Sequence, residues 1–324
     1  MTTAPQRPRV PRRLLDGVLL LDKPIGLSSN DALIRAKRLY LAKKAGHTGT
    51  LDPLASGLLP LCFGEATKFS QDLLEADKTY EATMRLGIRT TTGDAEGEAV
   101  ETREVHADRA ALEAVLPRFL GEIVQVPPMY SALKRDGKPL YKYARAGQTV
   151  EREGRQVTIH LLELLDCALP DVKFRVTCSK GTYVRTLAED IGEALGCGAH
   201  LVALRRIGVG ALTLEHAVTL DALSDAEAAE RDRWLQPVDA LLSTFARVQL
   251  TAEEAQRFRH GQRLRLASSA EPGVRDGDRV RVYDDAECLL GVARLSDGVL
   301  APARLVVTLP ANFVSLSRGD YAAR

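Results

Sequence analysis

One aspartate lies in a stretch whose composition is typical of a loop. Residues 46–57 read Gly-His-Thr-Gly-Thr-Leu-Asp-Pro-Leu-Ala-Ser-Gly, and Pro53 directly follows Asp52. Glycines permit positive φ or the close approach of a ligand, and a proline biases the preceding residue away from the helical region. A carboxylate presented on such a loop can act as a nucleophile or as a base. The structural alternative is that Asp52 caps a helix beginning near Pro53.

Signatures of metal and cofactor chemistry are missing from the sequence. It has no Walker-type loop, no dinucleotide-binding fingerprint and no His/Cys cluster with metal-ligand spacing, so we expect neither a metal nor a cofactor. Its five cysteines include no Cys-x-x-Cys pair, which is typical of reduced thiols in a cytoplasmic protein. Apolar runs of signal-peptide or membrane-span length are also missing, so we expect a cytoplasmic protein that does not enter a membrane.

Positive charge is concentrated in two segments, although the net charge of the 324-residue chain is only +1. Residues 131–155 carry seven Lys/Arg against three Asp/Glu, and residues 30–45 carry five against one, so each segment is +4. Residues 221–233 hold five acids against two arginines. The chain can therefore present one positive face to a polyanion, although a merely solvated surface would have the same composition.

Four stretches resemble, in the same order, the motifs of the TruB family of pseudouridine synthases. They are Gly17-Val18-Leu19-Leu20-Leu21-Asp22-Lys23-Pro24, residues 46–53, Asp77-Lys78-Thr79-Tyr80-Glu81-Ala82 and Ser179-Lys180-Gly181-Thr182-Tyr183-Val184-Arg185-Thr186-Leu187. The resemblance extends from about Gly17 to Gly210 and thins afterwards. Four motifs in register are far more specific than any one of them. The tRNA-modifying bacterial members are the most similar.

The resemblance implies that the chain isomerises uridine 55 in the T-loop of tRNA to pseudouridine. That reaction breaks the N1–C1′ bond, turns the base and joins C5 to C1′, without redox change, metal or cofactor. In this family the motif aspartate, here Asp52, is indispensable and serves as the nucleophile. Whether it attacks the sugar, attacks the base or removes a sugar proton stays open at the level of sequence. The target base must be flipped out of the folded RNA loop.

The resemblance also implies roles for other motif residues. Arg185 would be the counter-ion of Asp52, because an opposite charge at contact distance favours the ionised carboxylate. Tyr80 would stack on the target uracil and assist loss of the C5 proton. His47 would pack against flipped bases, although a lone histidine is more often structural. The remaining predicted pocket residues are Tyr183, Leu204 and Lys23.

Regular elements are expected on both sides of these residues. Val18 to Leu21 suits a buried strand, and Ser28 supplies an N-cap for a helix reaching about Lys44. Lys78 to Leu86 alternates as a half-buried strand does. Further predicted elements are helices over 67–74, 108–120 and 183–195, strands over 157–165, 172–179 and 201–209, and a largely helical stretch over 211–243.

We expect an α+β fold with two domains. Residues 16–243 would form a mixed-sheet catalytic domain, in which the basic, tyrosine-containing segment 127–155 resembles the family's RNA-clamping insertion. Its Lys134, Lys138 and Arg145 are candidate contacts to the RNA backbone. Short apolar runs at 263–266, 278–283, 289–295 and 305–309 predict a small PUA-like, RNA-binding β-barrel over 244–310. Residues 1–15 would be a basic tail and 311–324 a second tail.

Other functions compete with this interpretation. A glycoside hydrolase would need two carboxylates flanking the bond, and no second acid has motif support beside Asp52. An RNA-binding or RNA-folding protein would use the same basic segments, and a synthase working with a guide complex would act on other RNAs. The long basic insertion favours a stand-alone enzyme that binds the T-stem-loop of tRNA as a monomer, without an obligate protein partner.

Overall fold

The computed structural model describes residues 11–265 and 275–307. The first half of the chain contains β1 (Gly17–Lys23), α1 (Ser29–Leu39), β2 (Ala45–His47), β3 (Ala55–Phe63), α2 (Ser70–Leu74), β4 (Lys78–Leu86), β5 (Ile88–Thr90), β6 (Ala99–Thr102), α3 (Arg109–Val115) and β7 (Gly121–Gln125). Next come β8 (Lys134–Arg135), β9 (Lys138–Pro139), α4 (Leu140–Ala144), β10 (Arg155–Ala168), β11 (Asp171–Cys178), α5 (Val184–Ala194) and β12 (Ala199–Val209).

Shorter elements follow: β13 (Leu212–Thr213), β14 (Val218–Thr219), α6 (Leu220–Asp225), α7 (Ala228–Arg233) and β15 (Leu235–Gln236). The last group is β16 (Ala246–Gln249), α8 (Ala252–Arg259), β17 (Leu264–Arg265), β18 (Arg279–Tyr283), β19 (Leu289–Ser296) and β20 (Val299–Leu305). Short 3-10 helices cover Gly64–Lys68, Leu116–Phe119, Leu214–His216 and Val238–Leu242.

An 11-stranded mixed sheet forms the larger part of the molecule. Its order is β14-β1-β3-β12-β4-β11-β10-β7, with β2 also paired to β3, β13 to β12 and β15 to β1. The β1–β14 and β3–β12 pairs are parallel, whereas the other neighbours are antiparallel. The mixed sheet of the predicted α+β fold is therefore confirmed.

Strand β3 lies in the middle of this sheet and is buried along nearly its whole length. Such a continuous apolar run is typical of a strand covered on both faces. One face packs against α1 through Ala32 and Ala36, which are fully buried. Farther along the sheet, Leu187 and Ile191 of α5 pack on β4 and β11. Together, these layers give the strand ends around the site a rigid support.

The five C-terminal strands form a second sheet, ordered β16-β18-β19-β20-β17 and curled into a half-barrel. This architecture agrees with the predicted PUA-like domain. Val292 of β19 is fully buried among apolar residues of the larger sheet, and the Tyr283 hydroxyl donates to Asp239 over 2.6 Å. The last of the four predicted apolar runs, 305–309, coincides with a strand only at Leu305, because β20 spans Val299–Leu305. Residues 308 and 309 lie outside the described part.

Three other predictions needed correction. The first helix ends at Leu39, not near Lys44, because Leu41 adopts a positive φ of 52° and the chain turns into β2. Residues 211–243 contain only the two six-residue helices α6 and α7 among short strands and 3-10 turns, since extended backbone at Ala226 separates the helices. The predicted tail does not extend to residue 15, because Arg13 bonds to the backbone of Leu41 and pairs with Asp232.

Candidate active site

A cleft of about 360 Å³ opens where the predicted catalytic loop meets β4, β12 and the start of α5. Ser131, Ala132 and Leu133, at the base of the basic insertion, line its other side. Five predicted site residues also line it: Asp52, Tyr80, Tyr183, Arg185 and Leu204. Folding thus brings residues that are far apart in the sequence into one cleft.

Asp52 lies in a turn between β2 and β3. The alternative in which it caps a helix is wrong, because no helix begins at Pro53; the chain enters β3 at Ala55. The Asp52 carbonyl accepts from Ala55 N over 3.1 Å, and the Ser29 hydroxyl is bonded to both Leu51 N and Leu51 O. The carboxylate remains 41% exposed. Its backbone is therefore held while its side chain faces the cleft.

Arg185 belongs to the first turn of α5, but its side chain is only 6% exposed. The Nη2 atom lies 2.9 Å from Asp52 Oδ2 and donates over 2.8 Å to the carbonyl of Tyr130. The Nη1 atom donates over 2.9 Å to the carbonyl of Thr92. A planar guanidinium can satisfy several acceptors at once, so these contacts set its orientation beside Asp52.

A second carboxylate, Asp94, also contacts Arg185. Its Oδ2 lies 3.3 Å from Arg185 Nη1, and its side chain is 3% exposed. Thr92 Oγ1 and Glu96 N both donate to the Oδ1 atom of Asp94. Asp94 was not predicted from the sequence, because nothing in its spacing indicates a partner in α5. The pair shows that Arg185 is anchored on the side away from Asp52.

Two tyrosines form walls of the cleft. Tyr80 projects from β4, and burial raises the pKa of its hydroxyl. Tyr183 precedes α5, and its amide donates to Gln125 Oε1 over 3.1 Å; burial raises the pKa of this hydroxyl as well. Leu204 of β12 pairs in register with Ala55 of β3 and supplies an apolar surface. Aromatic and apolar walls of this kind suit a planar base.

Lys23 and His47 are placed differently from the other predicted site residues, since neither lines the cleft. Lys23 is fully buried, and its ammonium donates to the carbonyls of Pro24 and Leu27. Burial lowers the pKa of Lys23 to about 8. Gly26 N donates to the Pro53 carbonyl over 2.8 Å, so the turn that follows Lys23 is bonded to the Asp52 loop. A role for Lys23 at the pocket stays a prediction.

His47 lies on β2, and its side chain is half-buried. Burial, and then the charge of Arg206, lower its pKa. Among the described residues, its buried Nδ1 atom has no hydrogen-bond partner. A neutral ring with an unused polar atom is compatible with the predicted contact to flipped bases, which stays a prediction.

Two cationic residues of the cleft were not predicted from the sequence. Arg206 of β12 is 1% exposed and donates from Nε to the Leu58 carbonyl over 2.7 Å. Lys78 of β4 is 8% exposed, and its ammonium donates to the Leu74 carbonyl over 2.6 Å. Burial lowers the pKa of Lys78 to about 8. The alternation that places Leu204 in the cleft also places Arg206 there, and this was the signal available in the sequence.

The predicted backbone contacts lie on the insertion, outside the cleft lining. Lys138 Nζ stands 4.3 Å from the centre of the Tyr143 ring, and Arg145 Cζ stands 5.4 Å from that of Tyr141. Lys134 on β8 is exposed. These cations flank the side of the cleft formed by residues 131–133.

Within residues 11–265 and 275–307, no group of three or more His, Cys, Asp or Glu side chains is arranged to hold a metal ion. In that same part of the chain, no helix is long and apolar enough to cross a membrane.

Three family models together match most of the chain. "TruB family pseudouridylate synthase (N terminal domain)" matches residues 37–184, and "tRNA pseudouridylate synthase B C-terminal domain" matches residues 185–243. "Pseudouridine synthase II TruB, C-terminal" matches residues 246–306. These matches include the cleft and the five-stranded C-terminal sheet.

Curated relatives cover nearly the whole chain. A protein of Burkholderia lata named tRNA pseudouridine synthase B is 81% identical over 95% of this chain and 95% of its own length. One of Burkholderia mallei with the same name is 78% identical over 95% of this chain and 99% of its own length.

A solved structure titled as the archaeal box H/ACA sRNP Nop10-Cbf5 complex is also similar. Its matching chain is 26% identical to this chain, with a TM-score of 0.69. The match covers 90% of this chain and 86% of the chain in that structure.

Proposed function

The chain belongs to the TruB family of pseudouridylate synthases, and on that premise we propose that it isomerises uridine 55 in the T-loop of tRNA to pseudouridine. The supporting names are those of relatives 78–81% identical, which are tRNA pseudouridine synthases. The single observation that carries the proposal is the 2.9 Å contact between Asp52 and a buried Arg185, in a cleft walled by Tyr80.

In the proposed reaction, Asp52 is the nucleophile. The uracil is rejoined to the same sugar, so no group is transferred from another molecule. Arg185 pairs with the carboxylate and keeps it aimed at the cleft, because its other contacts fix the guanidinium. Tyr80 stacks on the uracil, and Leu204 and Tyr183 enclose the base after the N1–C1′ bond breaks. Carbon C5 then bonds to C1′, and the bond that Asp52 formed as nucleophile breaks and restores its carboxylate. The C5 proton passes to solvent and N1 acquires a proton, so the isomerisation is balanced.

The uridine must leave the RNA stack before Asp52 can reach it. Unstacking costs a few kcal/mol, which stacking on Tyr80 and contacts to the RNA backbone offset. Lys134, Lys138 and Arg145 supply those backbone contacts, and support comes from their position on the insertion whose residues 131–133 line the cleft. His47 packs against bases displaced with the target. The C-terminal PUA-like domain adds a second RNA-binding surface.

We assign the catalytic domain to residues 16–243, with the RNA-clamping insertion at about 127–155, and the PUA-like domain to residues 244–310. The enzyme acts in the cytoplasm as a monomer without metal, cofactor or obligate protein partner. Action on another RNA within a guide complex is the competing function, since a solved structure with a TM-score of 0.69 belongs to a box H/ACA complex. The higher identity of the bacterial relatives favours tRNA.

Tritium release tests the proposal directly. Purified protein alone is incubated with a T-stem-loop RNA carrying [5-³H]uridine only at position 55, in buffer containing EDTA. We expect label to pass into water in proportion to pseudouridine formed. The matched control RNA carries its label at another uridine of the same stem-loop and should retain it. Retention of tritium by both RNAs, with the protein bound, would favour an RNA-binding protein without this activity.

A further inference from the structure

Arg206 is a buried cation that the proposed chemistry does not yet use. Its side chain is 1% exposed, and it is among the largest fully buried side chains of the molecule. Burying a charge is costly unless hydrogen bonds compensate it. Among the described residues, Arg206 forms no ion pair; its guanidinium donates to two carbonyls, Leu58 O over 2.7 Å and Gly49 O over 3.3 Å. A cation kept at this cost invites a functional explanation.

Arg206 of β12 lies between β3, which follows the Asp52 turn, and β4, which carries Tyr80. It pairs with Gly57 of β3 on one side and with Tyr80 of β4 on the other. A Cβ atom at residue 57, where φ is +100°, would come within 2.2 Å of the Arg206 carbonyl oxygen. Only glycine permits this close approach, so the backbone of Arg206 is fixed next to the strand that leaves the Asp52 turn.

The Arg206 guanidinium interacts with the Asp52 loop and with Tyr80. One bond holds the carbonyl of Gly49, which belongs to the loop carrying Asp52. Burial raises the pKa of the Tyr80 hydroxyl, and the positive charge of Arg206 together with a side-chain hydrogen bond opposes that increase. Gly49, Tyr80 and Arg206 all line the same cleft. The guanidinium therefore bonds to the loop, while its own residue pairs in register with Tyr80 of the aromatic wall.

We propose that Arg206 is a positioning residue: from its place beside Tyr80 in the sheet it holds the Gly49 carbonyl, and thereby sets the distance between the reactive carboxylate and the ring that receives the base. The inference rests on the proposed function. Arg206 does not itself touch the reacting atoms; it acts through Tyr80 and the loop. The neighbouring Arg205 points to the other face of β12 and pairs with Asp22 over 2.7 Å, so it provides a matched control.

The test is a double-mutant cycle on single-turnover tritium release with saturating T-stem-loop RNA. Arg206→Met and Tyr80→Phe should each slow release, while the dissociation constant of the RNA changes little. If the guanidinium acts partly through the hydroxyl, the loss in the double variant should fall short of the product of the two single losses by about tenfold. Arg205→Met should release tritium at the wild-type rate, alone and with Tyr80→Phe.

Circular dichroism and thermal unfolding decide which variant is used. If Arg206→Met does not fold, Arg206→Lys replaces it in the same cycle, because lysine keeps the charge without the planar geometry. Losses that multiply within error, or an Arg205→Met variant as slow as the Arg206 variant, would overturn the role of Arg206 while leaving the proposed function intact. No release by the wild type would instead refute the proposed function, and this role with it.

Discussion

Asp52 and Arg185 form an asymmetric ion pair. Their closest atoms are 2.9 Å apart, yet the aspartate side chain is 41% exposed and the arginine side chain only 6%. The arginine is held by Asp94 and by the carbonyls of Thr92 and Tyr130. The protein therefore immobilises the cation and leaves the carboxylate open to the cleft. This is the arrangement expected of a counter-ion that serves a reactive group.

Asp52→Asn should abolish turnover without unfolding the protein. The amide has the shape of the carboxylate but is not a nucleophile. Because the Asp52 side chain is 41% exposed, the substitution should lower the stability of the fold only slightly. We expect single-turnover tritium release to fall by at least about 10⁴-fold, the scale of other nucleophile deletions. RNA affinity, measured by filter binding, should stay near the wild-type value.

Asp77→Asn provides the matched control for this change. Asp77 is about half exposed near the base of β4, where it faces His160, and it does not line the cleft. Its substitution should leave tritium release unchanged. An Asp52→Asn variant with near-wild-type release would rule out the assigned nucleophile.

Arg185→Met should reduce both activity and stability. The change leaves Asp94, which is 3% exposed, without its cationic partner. Removing one member of a buried pair costs about 3 kcal/mol or more in other proteins. Arg185→Lys should recover part of the stability but less of the activity, since an ammonium cannot satisfy four acceptors in one plane. Thermal unfolding and single-turnover release measure the two effects separately.

The decisive result for Arg185 is how the wild type, Arg185→Lys and Arg185→Met rank in stability and in release rate. Stability and rate should both decrease from wild type through lysine to methionine. If methionine matched the wild type in both measurements, the buried arginine would be dispensable, and the interpretation of the pair would have to be withdrawn.

Lys23 should make stability depend on pH in alkaline solution. Burial lowers its pKa in the folded protein from 10.5 to about 8. Between these values the unfolded chain binds more protons than the folded one, so the free energy of unfolding rises with pH. Below about pH 8 the penalty for the buried charge is fully present. The wild type should therefore gain stability relative to Lys23→Met between about pH 8 and 10.5.

Thermal unfolding of both proteins at pH 7, 8.5 and 10 measures this gain. Lys43→Met, at an exposed position near the end of α1, serves as the control and should follow the wild type in parallel. Parallel curves for Lys23→Met as well would show that burial of the Lys23 ammonium has no effect on its proton affinity.

Replacing the cations of the insertion should weaken RNA binding mainly at low salt. The triple variant Lys134→Ala, Lys138→Ala, Arg145→Ala removes up to three phosphate contacts. Each contact contributes roughly 0.7–0.9 units to the slope of log affinity against log salt, so the slope should fall by about two. The rate at saturating RNA should change much less, because these side chains lie outside the cleft.

Arg109→Ala with Arg118→Ala removes exposed cations from the region of α3 and serves as the control for the insertion. Its salt slope should equal that of the wild type. A triple variant with an unaltered slope would identify the insertion as a solvated surface.

The sequence determined those features that depend on neighbours along the chain. The alternation from Lys78 to Leu86 predicted β4 at its observed bounds, and Ser28 caps α1 as expected. Side-chain periodicity and cap chemistry are local properties, so they can be recognised without the fold. The motif resemblance supplied Asp52 and Arg185 as partners, and the structure places them in contact.

Only the tertiary structure decided which distant groups share the cleft. Asp94 meets Arg185 because a loop after β5 packs over the start of α5, and Arg206 meets Tyr80 because β12 lies next to β4. The complete burial of Lys23 is likewise a property of the folded sheet, since β1 lies between β3 and β14. These outcomes depend on strand order and register, which are set by burial of the whole sheet and not by the residue types at any one position.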